Sequence, residues 1–154
     1  MSSIFGGGGG SSTTYGPAFH VNKGGTNQTG VVSGADTLVT FSTEVFDTDG
    51  CFASNAFTPT TAGKYFIGGR IEFGGATDQT TIALLLYKNG ALHIRLSLHK
   101  ASGAGGQGAE AGVLVEANGV DDDFQLYALH GAGSDQTISG TASQTFFYGY
   151  FVRT

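Results

Sequence analysis

The run Asp121, Asp122 and Asp123 is the densest group of side chains in this sequence that could hold a metal ion. Three carboxylates in one loop suit Ca²⁺, because this cation prefers oxygen ligands. Acidic residues are also typical of a solvated turn that precedes a strand. We favour the turn and expect the protein to need no cofactor, with Ca²⁺ bound by these three residues as the alternative.

Other patterns match only part of a known site. The segment 47–50, Asp-Thr-Asp-Gly, lacks the third ligand and the distal Glu of an EF-hand loop, so we interpret it as a turn. The segment 103–108 matches Gly-x-Gly-x-x-Gly, but no helix follows it, and a dinucleotide site needs a strand–helix unit. We interpret it as a loop. The single cysteine, Cys51, excludes an intrachain disulfide framework and a cysteine-based zinc cluster. With no nucleophile elbow, we expect that the protein is not an enzyme.

Charge is scarce in this chain. Only 12% of the 154 residues are charged, which is about half the usual share. Part of the surface is therefore expected to be buried against other chains. The net charge of −5 argues against a phosphate-backbone ligand. The sequence has neither a run of about 18 apolar residues nor the pattern of a secretory signal at its start. We expect neither nucleic-acid binding nor membrane insertion.

Short apolar and aromatic segments separated by turn residues continue from residue 17 to the last residue. No window of eleven residues shows a helical period. Evenly spaced short strands are typical of an antiparallel sandwich or barrel. The candidate strands are 18–21, 38–41, 52–57, 63–73, 80–87, 91–99, 110–117, 124–129 and 145–153.

Two of these strands are apolar on both faces. In segments 82–87 and 146–151, both the even-numbered and the odd-numbered residues are almost all aliphatic or aromatic. One face of an antiparallel sheet normally meets water and is polar, so a second subunit is expected to cover these strands. Stacking of their rings on a sugar is the alternative. The residues expected in the core or in a subunit interface are Tyr65, Leu85, Tyr87, Phe147, Tyr148, Tyr150 and Phe151.

The order of three motifs resembles that of a known family. Segment 57–66 is similar to a Phe-x-Pro-x-x-Gly-x-Tyr-x-Phe signature with one extra residue, Ala62. Segment 84–90 ends a long aliphatic strand in Lys-Asn-Gly, and segment 146–151 is an aromatic-Gly-aromatic closing strand. Together they resemble the C1q/TNF-like jelly-roll family over residues 17–154. The resemblance implies an all-β antiparallel sandwich that assembles as a homotrimer and serves as a binding or capping knob.

The compact, glycine-rich and charge-poor form of the chain is similar to the C1q-like knobs of tailed phages. That similarity implies a virion protein, either a capsid decoration or a fibre knob, with a capsid or tail protein as its partner. Two alternatives remain: a receptor-binding fibre tip that recognises a host-surface glycan or protein, and a bacterial extracellular binding module.

Residues 1–16 form a glycine-rich segment that we interpret as an arm preceding the domain at 17–154. Two apolar side chains in it could insert into a partner, and glycines allow a backbone to approach a surface closely. The residues expected to anchor the arm to a particle are Ile4, Phe5, Gly6, Gly7, Gly8, Gly9 and Gly10.

Overall fold

A computed structural model describes residues 15–154 of the chain. The expected anchor, Ile4 to Gly10, lies outside these residues. The described part is all-β, and it contains no helix of the length and apolar character that a membrane span needs. Its thirteen strands are β1 (Ala18–Asn22), β2 (Gln28–Val31), β3 (Thr37–Leu38), β4 (Thr43–Asp47), β5 (Phe52–Ala53), β6 (Ala56–Phe57), β7 (Gly63–Ala76), β8 (Thr81–Lys88), β9 (Ala91–Lys100), β10 (Gly105–Ala117), β11 (Phe124–His130), β12 (Gln136–Ile138) and β13 (Phe146–Arg153).

The strands form two antiparallel sheets that pack face to face, which confirms the predicted sandwich. The seven-stranded sheet has the order β2-β12-β7-β13-β1-β4, with β10 paired to the other edge of β7. The six-stranded sheet has the order β5-β6-β11-β8-β9, with β3 also paired to β11. The last strand therefore lies between β7 and β1, at the centre of the larger sheet.

The core lies between the sheets, where each strand contributes every second residue. Tyr65, Ile67 and Phe73 of β7 are fully buried, as are Leu84 and Leu86 of β8. Side chains alternate between the two faces of a strand. The even-numbered residues between Tyr65 and Phe73 therefore point away from the core.

Phe19 of β1 is the aromatic centre of this core. Its ring centroid lies 4.3 Å from that of Phe57 in the opposite sheet and 4.8 Å from that of Phe147 in the neighbouring strand. Gly149 leaves room for the Phe19 ring, because a Cβ at residue 149 would lie 2.8 Å from it. The aromatic-Gly-aromatic pattern of the last strand is thus explained by the space that one buried ring occupies.

The strand predicted at residues 38–41 is largely wrong, because β3 covers only Thr37–Leu38. At residues 40 and 41 the backbone forms hydrogen bonds with side chains instead of with a neighbouring strand. The buried ammonium group of Lys23 donates to the Thr40 carbonyl at 2.7 Å, and the Phe41 amide donates to Asn55 Oδ1 at 2.8 Å. Burial lowers the pKa of Lys23 to about 8.

The strand predicted at residues 52–57 is a tight hairpin of β5 and β6. Ser54 and Asn55 have positive φ angles of 52° and 64°, which reverse the chain between the two short strands. Positive φ is uncommon outside glycine, and Asn tolerates it better than most residues do.

The loop expected at residues 103–108 is also mostly wrong, because β10 begins at Gly105. This end of β10 pairs with the end of β7, where Gly105 is opposite Ala76 and Gly108 is opposite Glu72. Glycine is depleted in strands, so the sequence did not indicate that β10 starts here.

Replacing Gly149 by Ala should destabilise the fold by about 1–3 kcal/mol, the usual cost of overpacking a well-packed core. The added methyl group would lie 2.8 Å from the Phe19 ring and 3.2 Å from Ile67. Gly74→Ala is the matched control in β7, because the nearest atom to its new Cβ is 3.9 Å away. Urea unfolding of both variants at one protein concentration measures the difference. Equal midpoints for the two variants would contradict this account of Gly149.

Candidate functional site

The outer face of the seven-stranded sheet carries aromatic rings where a solvent-facing sheet would carry polar residues. We call this surface the aromatic face. Phe46 and Tyr150 are 46% and 48% exposed, and the other rings are partly buried. Its six members come from β1, β4, β7 and β13 and are His20, Phe46, Phe66, Phe146, Tyr148 and Tyr150.

The rings of the aromatic face form a continuous layer across four strands. The His20 ring lies 6.0 Å from both Phe46 and Phe146, centroid to centroid. Phe146 lies 6.1 Å from Tyr148, and Tyr148 lies 6.2 Å from Phe66. These separations fall in the range at which aromatic pairs attract each other, so each ring helps to fix the orientation of the next.

Two glycines let the rings of Tyr148 and Phe66 lie close to the sheet. A Cβ at Gly68 would lie 2.8 Å from the Tyr148 hydroxyl, so the Tyr148 side chain crosses directly over this glycine. A Cβ at Gly112 would lie 2.4 Å from Cζ of Phe66. The result is an apolar surface in which the rings of Tyr148 and Phe66 lie close against the sheet.

Charged residues lie at the margin of the aromatic face. The guanidinium of Arg70 bonds to Glu72 at 2.8 Å and to Glu110 at 3.4 Å. Burial, together with the nearby charge of Glu110, raises the pKa of the Tyr148 hydroxyl. Beyond Phe66, the apolar surface continues to Leu114 of β10, which is 60% exposed.

One part of the aromatic face is concave, and we call it the aromatic groove. It has a volume of about 420 Å³. Its polar side-chain groups are only the His20 imidazole and the hydroxyls of Ser143, Tyr148 and Tyr150, so its wall is almost all carbon. It is lined by Ala18, Phe19, His20, Phe46, Ala142, Ser143, Phe146, Tyr148, Gly149 and Tyr150.

The outer face of the six-stranded sheet is apolar too, but part of it is covered within the chain. Tyr87 and Tyr127 stack with their ring centroids 3.9 Å apart. The Tyr87 hydroxyl donates to Asp36 at 2.5 Å, and this hydrogen bond together with burial raises the pKa of Tyr87 to about 12. Leu85 lies opposite Tyr127 in the ladder and is 1% exposed. No second subunit is needed to bury Leu85.

The seven residues expected in the core or an interface fall into three places. Tyr65 and Phe147 are fully buried in the core, and Phe151 packs against it. Leu85 and Tyr87 lie on the outer face of the six-stranded sheet. The remaining two, Tyr148 and Tyr150, lie on the aromatic face.

The expected site residues did not include His20, Phe46, Phe66 or Phe146. Alternation in 146–151 already separated Phe146 from the buried Phe147. The position of Phe66 on the aromatic face follows only from the pairing of β7 with β13, in which Phe66 is opposite Tyr150.

The three aspartates at 121–123 lie in a turn that is bonded to the hairpin at Lys88 and Asn89. Asp122 is 7% exposed, and its carboxylate accepts hydrogen bonds from the Asn118 amide and the Asn89 side chain, each at 2.8 Å. The Lys88 ammonium lies 2.9 Å from the same carboxylate. Burial opposes ionisation of Asp122, but the bonds from Asn89, Lys88 and Asn118 outweigh it and lower its pKa.

The geometry of this turn directs the three carboxylates to protein donors. Asp121 accepts from the Asn118 side chain at 2.7 Å, and Asp123 exchanges two bonds of 2.9 Å with Asn89. Within residues 15–154, no group of three or more His, Cys, Asp or Glu side chains is arranged to hold a metal ion. Independence from Ca²⁺ stays a prediction.

Asp122→Asn should lower the free energy of unfolding at neutral pH, because it removes the charge that Lys88 pairs with. A carboxyl group with a lowered pKa in the folded state stabilises the fold above its unfolded pKa of about 3.9 and loses this effect as the pH falls further. The difference between wild type and variant should therefore shrink below about pH 4. Thermal melting from pH 3 to 7 measures it, with the exposed Asp121→Asn as control.

The same melting experiment tests the metal. Adding Ca²⁺ or a chelator should leave the melting temperature of the wild type unchanged. A rise on adding Ca²⁺ that disappears in Asp122→Asn would show that the turn is a binding site.

Comparison with known proteins supports the fold. No protein-family model matches the sequence, and no curated protein matches it. Among solved structures, murine APRIL at pH 5.0 superposes with a TM-score of 0.66 and 10% sequence identity, covering 89% of this chain and 99% of that chain. The globular domain of zebrafish complement 1qA superposes with a TM-score of 0.59 and 18% identity, covering 89% of this chain and 98% of that one.

These comparisons define the class of fold. At identities below 20% they establish the architecture alone. The chain has the C1q/TNF-like jelly-roll fold, as the motifs in the sequence predicted.

Proposed function

We propose that this protein is a homotrimeric binding module without catalytic activity. The observation that carries the proposal is the aromatic face, a partly exposed apolar surface on the outer side of the larger sheet. Large exposed apolar patches mark interaction sites, and soluble oligomers are mostly closed and symmetric. The fold, which is shared with APRIL and the complement 1qA globular domain, also supports a module that binds.

A three-fold ring needs two different complementary surfaces on each chain, because its contacts are head-to-tail. The second surface that fits is β9, the edge strand of the smaller sheet, where Leu92 and Leu98 are 47% and 50% exposed. The charged residues of β9 are Arg95 and Lys100, both basic. At the margin of the aromatic face near β10, Arg70 pairs with both Glu72 and Glu110, so the two surfaces match mainly through their apolar side chains.

Light scattering of the wild type at micromolar concentration should give the mass of three chains of 15.7 kDa. Tyr150→Asp should weaken assembly and leave a folded monomer, because Tyr150 is half exposed in the single chain. Losing the burial of one large apolar side chain costs about 1.5–3 kcal/mol, which is roughly a 10- to 100-fold loss of affinity at each interface.

Val120→Asp is the control for this experiment. Val120 is 81% exposed in the turn between β10 and β11, away from both surfaces, and its replacement should leave the mass unchanged. A wild type that is monomeric at micromolar concentration would contradict the proposal.

We further infer that the module is a virion component, a capsid decoration or fibre knob, and that residues 1–16 attach it to a capsid or tail protein. The support is the compact, glycine-rich and charge-poor form of the sequence, which resembles that of phage knobs, together with the glycine-rich arm. The start of the described chain is compatible with this role, because Tyr15 is 87% exposed.

A receptor-binding tip is the second candidate, and one feature favours it. A groove of about 500 Å³ lies beside the turn at 118–123 and includes Lys88, Glu116, Asn118 and Asp122. Its mixture of charged and amide side chains suits the hydroxyl groups of a glycan better than the carbon wall of the aromatic groove does. A glycan that binds this protein is expected in this groove beside the turn at 118–123.

Deleting residues 1–14 should leave a folded trimer that no longer attaches to particles from which the native protein has been stripped. This deletion keeps Gly16, on which the Phe151 ring packs. Electron microscopy of the rebuilt particles measures occupancy. The double variant Ile4→Ser and Phe5→Ser should show the same loss, whereas Ser2→Ala should not. Unchanged occupancy after deletion would mean that the jelly roll itself makes the attachment.

A further inference from the structure

A second groove lies at the edge of the sandwich, between β4 of the larger sheet and β5 of the smaller one. Each is the outermost strand of its sheet on this side. We call this space the edge groove, and its volume is about 250 Å³. Its lining includes the apolar side chains of Val21, Phe41 and Phe52 and the exposed polar side chains of Thr43 and Glu44. No residue that lines it belongs to the aromatic face or to β9, so neither proposed trimer surface contains it.

Hydrogen bonds fix the two walls of the edge groove to each other. The Asp47 carboxylate, at the end of β4, accepts bonds from the amides of Cys51 at 3.0 Å and Phe52 at 2.7 Å. On the other side, Asn55 of the hairpin accepts from the Phe41 amide. A site whose shape is already fixed binds a partner with less loss of conformational freedom than one that must form.

The backbone of β4 offers hydrogen bonds along this groove. Within residues 15–154, the ladder partner of β4 is β1 alone, so the opposite side of β4 has no paired strand. An extended peptide can add to such an edge as a further strand, and its main chain then supplies the hydrogen bonds. Alternate side chains of an added strand point to the same side, which allows them to enter the groove.

The charge around the edge groove is of one sign. Residues 24–63 contain no lysine, arginine or histidine, and their four acidic residues are Asp36, Glu44, Asp47 and Asp49. The lysine just before this segment, Lys23, is 3% exposed and donates to the Thr40 carbonyl, so its charge is not displayed on the surface. A basic partner is therefore favoured. A second copy of β4 is disfavoured, because like charges on paired strands repel each other.

We propose that an extended basic peptide adds to β4, with apolar side chains in the edge groove and basic side chains beside Glu44. The volume of the groove is below the roughly 300–1,000 Å³ of sites that enclose small ligands. It suits the side chains of a chain that continues along β4 better than it suits a whole small molecule. The proposal adds a partner to the binding module and does not depend on the trimer.

Fluorescence anisotropy on the full-length protein tests the proposal. The probe is the peptide Lys-Leu-Arg-Leu-Lys with an N-terminal coumarin and a C-terminal amide, in which basic and apolar residues alternate. It should bind more tightly than Glu-Leu-Glu-Leu-Glu by about tenfold or more, and added salt should reduce the difference, because salt screens exposed charges. The rearranged peptide Leu-Leu-Lys-Arg-Lys should bind more weakly than the probe, because its apolar residues do not alternate.

Two substitutions locate the site. Glu44→Gln should weaken binding of the probe several-fold, whereas Glu116→Gln, at an exposed carboxylate of β10, should not. Ala53→Leu fills the edge groove from an exposed position and should also weaken binding. Its control is Ala35→Leu, at an exposed alanine in the turn before β3 that does not line the groove. Thermal melting shows whether each variant is folded.

Hydrogen exchange identifies the strand that the peptide joins. Backbone amides of β4 should gain protection when the probe binds. Protection of β9 without β4, equal affinity for the basic and acidic peptides, or binding that neither Glu44→Gln nor Ala53→Leu weakens would overturn the proposal. Binding that appears only after residues 1–14 are deleted would assign the edge to the arm, and assemblies that pair through β4 would assign it to a second copy. Either result also contradicts the proposal.

Light scattering of the same samples reports the trimer separately. A monomeric wild type that binds the basic probe at β4 supports this proposal and contradicts the trimer. A trimer that does not bind the probe gives the opposite result.

Discussion

The packing of Phe19 against Phe57 and Phe147 is the contact on which the rest of the structure depends. It joins the two sheets, because Phe19 and Phe147 belong to the larger sheet and Phe57 to the smaller one. It also fixes which face of β1 and β13 is buried. A shift of one residue in either strand would exchange its two faces, so the buried rings determine that His20 and Tyr148 point outward. The aromatic face is thus a consequence of the core.

The fold was predictable because its signals are local. A Phe-x-Pro turn, a Lys-Asn-Gly hairpin and an aromatic closing strand each depend on neighbouring residues, and their order specifies the jelly roll. The candidate site was only partly predictable, because it is built from pairings between distant strands. Alternation placed Tyr148 and Tyr150 opposite Phe147, but only the register of β7 against β13 brings Phe66 beside them. Likewise, side-chain bonds from Lys23 and Asn55 to residues 40–41 replaced a predicted strand.

Glycine has two physical roles in this molecule. At Gly149 it makes room for a ring inside the core, and at Gly68 and Gly112 it makes room for rings outside it. Strands rich in glycine have weak intrinsic preference for extended structure, so such strands depend on their partners. The scarcity of charge is consistent with this arrangement. Where aromatic rings lie over glycines on the outer face of the sheet, few positions remain for charged side chains.

The position of β13 between β7 and β1 has a consequence for the order of folding. β1 and β4 can pair early in synthesis, since they are close in sequence, but the larger sheet is not continuous until residues 146–153 have been made. Before then, Phe19 has no Phe147 to pack on, and the edges of β1 and β7 that β13 later joins are open. Sheets closed by such long-range pairing fold slowly, and open strand edges invite aggregation. The nascent chain is therefore most vulnerable in the interval just before its last strand emerges from the ribosome.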